Sequence, residues 1–512
     1  MSPHNPAGPR GPYAELCARL GEIGTLGSVA ALLTWDQETG MPPKAAEFRA
    51  DELALLARLI HERRTAPRLR ELLEASEQDP AVAGDPLAAA DVREIRRDVD
   101  RAVRLPVELV EDSAASAARA VEVWRSARAR SDFEAFRPAL EQLLELARRR
   151  AACLVEPRHG EPYDALLDVY EPEVGAADLD RMFAPLREGL PELIAQIRES
   201  GATVDDARFR AEVPVDRQLA FHRRVAAAVG YDFDAGRLDL STHPFSEGVG
   251  PGDTRITTRF GAGGFLDALG STLHETGHAL YEQGLPKDRA HGRPIAEAAG
   301  LGVHESQSRL WENQVGRSRE FWRWAAPVAH ELLGAAVEPL DAEALYRGAN
   351  VVRPGPIRVE SDEATYNLHV LLRFDLERAM VRGDLAVRDL PAAWNERLAR
   401  DLGVEVPDDR RGCLQDIHWA SGAFGYFPTY TLGNVYAAQL WEAIRRDLPE
   451  VGDDIAAGRF APLLAWLRAS IHEHGRRYVG AELIRRATGA SADARALLAY
   501  LRGKFAPLYG IA

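Results

Sequence analysis

The chain has 512 residues, of which 46% are hydrophobic and 28% are charged, an ordinary balance for a globular protein. Its 63 basic and 78 acidic residues leave a formal net charge of −15, which argues against a nucleic-acid-binding protein because such proteins carry a net basic face. The three cysteines, Cys17, Cys153 and Cys413, lie far apart. This argues against a disulfide scaffold or a cysteine-only zinc site and favours a reducing, cytoplasmic compartment.

The N-terminal residues differ in composition from the rest of the chain. Residues 1–12 are rich in Pro and Gly and lack the apolar centre of a signal peptide, so we expect a disordered tail. No run of about 18 or more apolar residues is evident, and we therefore expect no membrane span. Because no Pro/Gly/Ser-rich linker divides residues 13–512, we expect them to form one large, mostly helical unit.

Apolar residues recur at helical spacing through most of the chain. Pro42 and Pro43 fit the first turn of a helix over residues 44–63. In chain order, the predicted helical segments are 44–63, 85–153 with breaks near Pro106 and at 136–138, 180–201, 340–348, 363–382 and 461–502. Residues 237–260 instead show β-branched alternation around a Gly/Pro centre, which predicts a hairpin or a small sheet.

The strongest chemical signal is His274-Glu275-Thr276-Gly277-His278, within a predicted helix over 265–283 that Gly284 closes. The spacing of four places His274 and His278 on one helix face, one turn apart. Two imidazoles so placed can hold one zinc ion, with Glu275 beside it as the general base. Zinc lowers the pKa of a bound water, and the glutamate takes its proton as the water attacks a carbonyl.

A catalytic zinc ion of this type needs a third protein ligand and an open fourth position. Two downstream glutamates compete for that role, Glu297 in PIAEAAG and Glu305 in HESQ. Residue spacing alone does not choose between them. Glu297 could also be an ordinary acidic residue on a helix surface.

Further motifs give the chain a specific resemblance. They are HPF at 243–245, D-x-R-x-T at 253–257, HESQ at 304–307, G-x-x-Q-D-x-H-W at 412–419 and GYFPTY at 425–430. With the H-E-x-x-H, they resemble the carboxypeptidase Taq family of zinc metallocarboxypeptidases, over most of the chain from Trp35 to Tyr430. One motif departs, since the family's I-R-x-x-A-D has Ser361 in place of Ala at 357–362, a small change that affects local packing.

This resemblance implies a mainly α fold with a deep active-site groove and a small β-sheet beside the zinc helix. It also implies release of single C-terminal amino acids with broad specificity, and a homodimer. In that family the glutamate of HES is the third zinc ligand, which selects Glu305 here over Glu297. Cobalt is an alternative metal for such a site.

A carboxypeptidase also needs a cation for the substrate's terminal carboxylate, and arginine suits this role by its bidentate fork. Arg358, Arg255 and Arg353 are the candidates, and the family pattern favours the first two. Tyr430 and His418 are candidate donors to the oxyanion. The ordinary alternatives are structural salt bridges for the arginines and packed, hydrogen-bonded roles for the other two. Asp416 and Asp362 are candidates for orienting a ligand histidine or a substrate amine. His304 is a candidate for supporting a ligand or contacting substrate, with a merely packed histidine as the alternative.

Two other functions are compatible with these residues. A helical zinc oligopeptidase that cuts internal bonds of short peptides would use the same metal site. A non-catalytic zinc- or peptide-binding protein is disfavoured by Glu275, because structural zinc sites have four protein ligands and need no base.

Overall fold

The structure is a computed structural model that describes residues 11–202, 204, 209, 212–261 and 264–511. The predicted tail lies almost wholly outside the described residues, and the first helix begins at Pro12. Helices dominate the described chain and one small sheet accompanies them, which confirms the predicted mainly α class.

The N-terminal part is a series of seven helices. They are α1 (Pro12–Thr39), α2 (Ala46–Arg64), α3 (Pro67–Glu77), α4 (Pro80–Ala83), α5 (Pro86–Arg104), α6 (Val107–Arg130) and α7 (Phe133–Leu154). The predicted break at 136–138 is wrong, because Pro138 lies inside α7. The chain breaks instead at Ser131, whose left-handed backbone (φ 55°) ends α6.

The middle of the chain supplies the sheet and the helix that carries H-E-x-x-H. Its elements are α8 (Pro162–Leu167), α9 (Ala176–Glu199), α10 (Val215–Ala228), β1 (Gly236–Leu240), β2 (Ser246–Gly250), β3 (Asp253–Thr258), α11 (Phe265–Gly284) and α12 (Lys287–Ala290). Strands β2 and β3 form the predicted antiparallel hairpin, and β1 adds to β3 in parallel. The sheet packs against α11, which confirms a small sheet beside that helix.

The C-terminal part is again helical. Its helices are α13 (Leu301–Arg309), α14 (Arg319–Leu333), α15 (Ala342–Ala349), α16 (Tyr366–Arg382), α17 (Leu390–Leu402), α18 (Pro428–Asp447), α19 (Val451–Ala456), α20 (Ala461–Ser470), α21 (Gly480–Thr488) and α22 (Ala494–Tyr509). A π-helical segment, Leu310–Val315, continues α13. The predicted helix over 461–502 is therefore three helices, since the chain kinks at Gly475 and turns again at Gly489.

The buried apolar side chains form two main clusters. A large core extends from α6 to α22 and includes the apolar face of α11, with Leu269, Leu273 and Leu280. A smaller cluster lies among α1, α3, α4 and α5. Within the large core, α13 packs against both α11 and α18, and these contacts position the site described below.

Helix α1 meets the length and composition required of a membrane-spanning helix, a property that the sequence reasoning assigned to no segment. In the fold it packs against α2, α3 and β2. Such a helix by itself is weak evidence for a membrane.

Candidate active site

Helix α11 presents both histidines of H-E-x-x-H on one side. The rings of His274 and His278 lie 4.8 Å apart, centroid to centroid. The opposite, apolar side of α11 is buried in the large core. Because the apolar side of α11 faces the core, the two imidazoles on its other side point toward a neighbouring helix.

That neighbouring helix is α13, which supplies Glu305. Its Oε2 atom lies 3.8 Å from Nε2 of His274 and 3.5 Å from Nε2 of His278. The three ligand atoms lie within 4.8 Å of one another. Two ring nitrogens and one carboxylate oxygen that converge in this way fit a divalent metal ion.

Two glycines permit this convergence. A Cβ atom on Gly277 of α11 would lie 2.6 Å from the carbonyl oxygen of Gln307, so only glycine lets α11 and α13 approach this closely. A Cβ atom on Gly433 of α18 would lie 2.4 Å from Cγ of Glu305. The small residues thus bring three helix backbones around the metal cluster, by which we mean His274, His278 and Glu305.

Charged side chains behind the cluster hold its ligands in place. Nδ1 of His274 lies 3.0 Å from a carboxylate oxygen of Glu312. Arg309 donates to Glu305 (2.7 Å) and to Glu312 (3.2 Å), and Arg317 donates to Glu312 (3.0 Å). Sequence reasoning missed these residues. Glu312 belongs to the π-helical segment, which has no clear sequence signature, although π-turns often occur at functional sites.

The electrostatics suit metal binding. Burial alone would raise the pKa of Glu305, but Arg309 and the two histidines hold it well below its ordinary value. Burial lowers the pKa of His278 to about 3, so its ring is neutral and can act as a ligand. Burial also raises the pKa of Glu275 to about 7, close to that expected of a general base at neutral pH.

The competing glutamate lies elsewhere. Glu297 pairs with Arg476 at 3.0 Å, and its side chain is 52% exposed. It does not belong to the three-residue cluster found among the described residues. The geometry therefore favours Glu305 over Glu297 as the third ligand.

A second cluster gathers Arg358, Tyr366, Asp416, His418 and Tyr430, and we call it the arginine–tyrosine cluster. Arg358 donates to Oδ1 of Asp416 (2.9 and 3.0 Å) and to the Tyr366 hydroxyl (2.9 Å). Its guanidinium lies 4.9 Å from the centre of the Tyr430 ring. Nε2 of His418 lies 3.0 Å from the Tyr430 hydroxyl.

Arg309 joins the two clusters. Its guanidinium lies 4.3 Å from the centre of the Tyr366 ring, while its Nε donates to Glu305. Three of the residues proposed from sequence, Arg358, His418 and Tyr430, are thereby linked to the metal cluster through Tyr366 and Arg309.

Other candidate residues have different surroundings. Arg255 pairs with Asp253 on β3 and stacks on Trp35 of α1 at 4.3 Å. Arg353 is exposed, and its backbone N–H donates to Asp362.

In the described structure, the two aspartates bind groups other than the ligand histidines. Asp362 accepts backbone N–H groups of Arg353, Ala364 and Thr365, so it stabilises a turn. Asp416 binds Arg358 and Arg373. Besides Glu305 of the metal cluster itself, the described structure places the carboxylate of Glu312 on His274.

His304 lies directly against the metal cluster. Its ring stacks on His278, with centroids 4.4 Å apart, and its Nε2 lies 2.9 Å from Glu282. Glu282 also pairs with Lys287. His304 therefore supports the ring of His278 from the side.

Comparisons with known proteins agree with this geometry. Residues 15–505 match the family described as carboxypeptidase Taq (M32) metallopeptidase. Thermostable carboxypeptidase 1 of Thermus thermophilus is 46% identical over 98% of this chain and 100% of its own length. Carboxypeptidase 1 of Bacillus subtilis is 35% identical over 96% of this chain and 97% of its own length.

Solved structures extend the likeness to the fold. The M32 carboxypeptidase of Deinococcus radiodurans R1 superposes with a TM-score of 0.94 and 40% identity, covering 98% of this chain and 100% of that one. The structure of Pyrococcus furiosus carboxypeptidase superposes with a TM-score of 0.93 and 36% sequence identity, covering 97% of this chain and 99% of that one. The chain therefore belongs to the carboxypeptidase Taq (M32) metallopeptidase family and is a peptide hydrolase, a metallocarboxypeptidase that uses a divalent metal ion.

Proposed function

We propose that this metallocarboxypeptidase is zinc-dependent and releases single C-terminal amino acids from peptides with broad specificity. The convergence of His274, His278 and Glu305 within 4.8 Å, with Glu275 on the same helix, carries the proposal. Imidazole and carboxylate ligands of this number suit Zn²⁺, and Co²⁺ would occupy the same set. When bound, the ion would polarise the scissile carbonyl and acidify a water molecule.

Glu275 is the proposed general base. It is buried beside the metal cluster, and its carboxylate would take the proton of the attacking water and then pass it to the leaving amine. Burial excludes bulk water from this transfer, and a metal cation nearby would keep the carboxylate ionised.

Arg358 is the proposed anchor for the substrate's terminal carboxylate. The structure joins it to the metal cluster through Tyr366 and Arg309. Its Asp416 partner fixes the orientation of the guanidinium fork. Arg255 and Arg353 stay secondary candidates: Arg255 pairs with Asp253 and stacks on Trp35, and the backbone of Arg353 belongs to the turn at Asp362.

Tyr430 is the proposed donor to the oxyanion, and His418 is proposed to orient its hydroxyl group. Burial lowers the pKa of His418 to about 4, so the ring is neutral. Burial also raises the pKa of the Tyr430 hydroxyl well above its ordinary value, so the hydroxyl keeps its proton. A neutral His418 that donates from Nε2 leaves the Tyr430 proton free for the substrate oxygen.

The test is a mass-spectrometric time course on one peptide with a free and with an amidated C-terminus. We expect the zinc-loaded protein to shorten only the free form, one residue at a time. Glu275→Gln should retain zinc and lose activity by about 10²- to 10⁴-fold, whereas the matched Glu297→Gln should retain both. Internal cuts in both peptide forms would indicate the oligopeptidase instead. Zinc binding without any cleavage would contradict the proposal.

We also propose that the protein is a homodimer and resides in the cytoplasm. Helix α2 has no buried residue, and it carries Phe48 (67% exposed) and Leu55 on one face. On the neighbouring α1, Val29 and Leu32 are exposed as well. Exposed apolar residues on adjacent helices support a surface that a second copy covers. The scarcity of cysteine supports the compartment.

Sedimentation velocity tests the dimer. We expect a dimer for the wild type and a monomer for Phe48→Glu/Leu55→Glu, because charges in an apolar interface go unpaired. Val110→Glu, at another exposed apolar residue on α6, should stay dimeric. A dimer that survives the double substitution, or a monomeric wild type that pellets with lipid vesicles, would contradict this surface assignment.

A further inference from the structure

The proposed oxyanion donor and the histidine that orients it depend on a long irregular segment. Residues 403–427, the His418 loop, connect α17 to α18 and contain neither helix nor strand. The loop carries Asp416 and His418, and it leads directly into Tyr430 on α18. An irregular segment of this length needs contacts from rigid elements to hold a precise geometry.

Helix α16 supplies two such contacts from one face. Arg373 and Glu377 are four residues apart, so they lie on the same side of the helix, and both are 0% exposed. Arg373 donates from Nε to Asp416 at 2.6 Å, and its guanidinium stacks on Trp394 at 4.5 Å. This bond holds the loop two residues before His418.

Glu377 holds the His418 loop close to its C-terminal end, at Gly425. Its Oε1 accepts the backbone N–H of Gly425 at 2.6 Å, and its Oε2 accepts the Tyr163 hydroxyl at 3.3 Å. Gly425 has φ 89°, and a Cβ there would lie 2.7 Å from the carbonyl carbon of Leu166 in α8. The loop backbone is therefore pressed between α8 and α16 at a residue that has to be glycine.

The residues that follow Gly425 form the surroundings of His418. Its ring lies 5.3 Å from Tyr426 and 4.5 Å from Phe427, centroid to centroid. Tyr426 in turn contacts Tyr430 edge to face at 5.4 Å. The position of Gly425 consequently decides where these rings, and the bond between His418 and Tyr430, are placed.

The burial of Glu377 also indicates that its carboxyl group is there to make a specific hydrogen bond. In the described chain its carboxyl group meets one backbone N–H, one hydroxyl and the side chain of Trp419, which belongs to the same loop. Burying a carboxyl group costs more than burying an apolar side chain of similar size. What the carboxyl adds over a leucine is the directed bond to Gly425.

We propose that Arg373 and Glu377 are positioning residues that clamp the His418 loop at Asp416 and Gly425 and thereby align His418 and Tyr430 with the metal cluster. The inference rests on the proposed roles of those two residues. It assigns a task to one face of α16, which carries no ligand of the metal cluster.

Substitutions at Glu377 test it on the full-length, zinc-loaded protein. Glu377→Leu should raise hydrogen–deuterium exchange within residues 412–427 and lower kcat by about 10²-fold, since small displacements of positioned groups cost this much. Zinc affinity, measured by chelator competition, should stay within about twofold, because the metal ligands lie on α11 and α13. Glu377→Gln keeps the acceptor for Gly425 and should restore both readouts.

Asp375→Asn is the matched control, since Asp375 lies on α16 but pairs with Arg187 and Arg397. It should leave exchange at 412–427 unchanged. If the leucine variant does not fold, Tyr163→Phe removes one hydroxyl and should raise exchange at the same residues to a smaller extent. Unchanged exchange at 412–427, or a glutamine variant as impaired as leucine, would overturn the inference. A wild type without carboxypeptidase activity would instead overturn the proposed function, while the exchange data would still report on the clamp.

Discussion

Glu312 illustrates how single residues around the metal cluster differ in role. It contacts Nδ1 of His274, while Arg309 and Arg317 hold its own carboxylate in place. A carboxylate behind a ligand histidine fixes the ring orientation and makes the ring a better metal ligand. On His278, by contrast, Nδ1 is buried without a hydrogen-bond partner in the described chain. The two histidines are thus held by different means, one by a charged partner and the other by stacking on His304.

Substitution of Glu312 should therefore weaken metal binding. We expect Glu312→Gln to lower zinc affinity by about 10- to 100-fold, because the amide keeps the shape but loses the charge that polarises His274. Competition with a chromophoric chelator measures this. Glu297→Gln removes a carboxylate that belongs to a salt bridge outside the cluster and should leave zinc affinity unchanged. Equal affinities for wild type and Glu312→Gln would show that Glu312 serves only to neutralise Arg309 and Arg317.

At the scale of elements, the metal cluster depends on how closely α11 and α13 approach. The two ligand histidines and Glu305 belong to different helices, and neither helix can hold the metal alone. Gly277 sits at the contact, facing the backbone of residues 307 and 308. A glycine between two histidines on a helix costs helix stability, which the close packing offsets here.

Gly277→Ala should separate the helices. The added Cβ would meet the α13 backbone at 2.6 Å, and such overpacking destabilises by about 1–3 kcal/mol. We expect urea denaturation to show this loss, together with a lower zinc affinity because Glu305 moves away from the histidines. Gly503→Ala on α22, where the new Cβ meets open space, should leave zinc affinity unchanged and stabilise by about 0.5–1 kcal/mol. A Gly277→Ala protein with wild-type zinc affinity would refute the argument.

At the scale of the whole molecule, buried acids couple the fold to pH. Glu171 accepts the N–H of Gly302 at the start of α13 (2.8 Å) and the hydroxyl of Tyr436 (3.3 Å), much as Glu377 holds Gly425. Burial raises the pKa of Glu171 to about 7 and that of Glu377 to about 8, from an ordinary value near 4.5. At pH 6, both carboxyl groups therefore keep a proton in the folded protein that the unfolded chain releases.

This difference makes stability fall as pH rises. The stabilising contribution of each group is complete below pH 4.5 and is lost as pH rises through about 7 and 8, at about 1.4 kcal/mol per pKa unit. Urea denaturation with chelator at pH 6 and pH 9 measures it. Relative to the wild type, Glu171→Gln/Glu377→Gln should lose less free energy of unfolding between these pH values. Parallel pH dependences in the two proteins would contradict the assignment of these pKa values.

Several features could be predicted from the sequence because they depend on neighbours along the chain. The H-E-x-x-H spacing determined that His274 and His278 share a helix face, and apolar periodicity located most helices. The hairpin at 237–260 followed from β-branched residues around glycine and proline. The break expected at Pro138 did not occur, and α7 runs through it with Phe136 and Leu140 buried on either side.

Other features required the tertiary structure, because they join residues that are distant along the chain. Residue spacing did not distinguish Glu297 from Glu305 as the third ligand. The fold distinguishes them, because it places Glu305 against His278 and pairs Glu297 with Arg476. The roles of Glu312, Arg309 and Glu377 depend on a π-turn, a stacked tyrosine and a contact between α16 and a loop, none of which has a local pattern. The sequence alone thus determined the class of chemistry and its two histidines, since helix geometry is local. The packing of α11, α13, α16 and α18 decided which other side chains reach the site, since burial and charge pairing act across the whole fold.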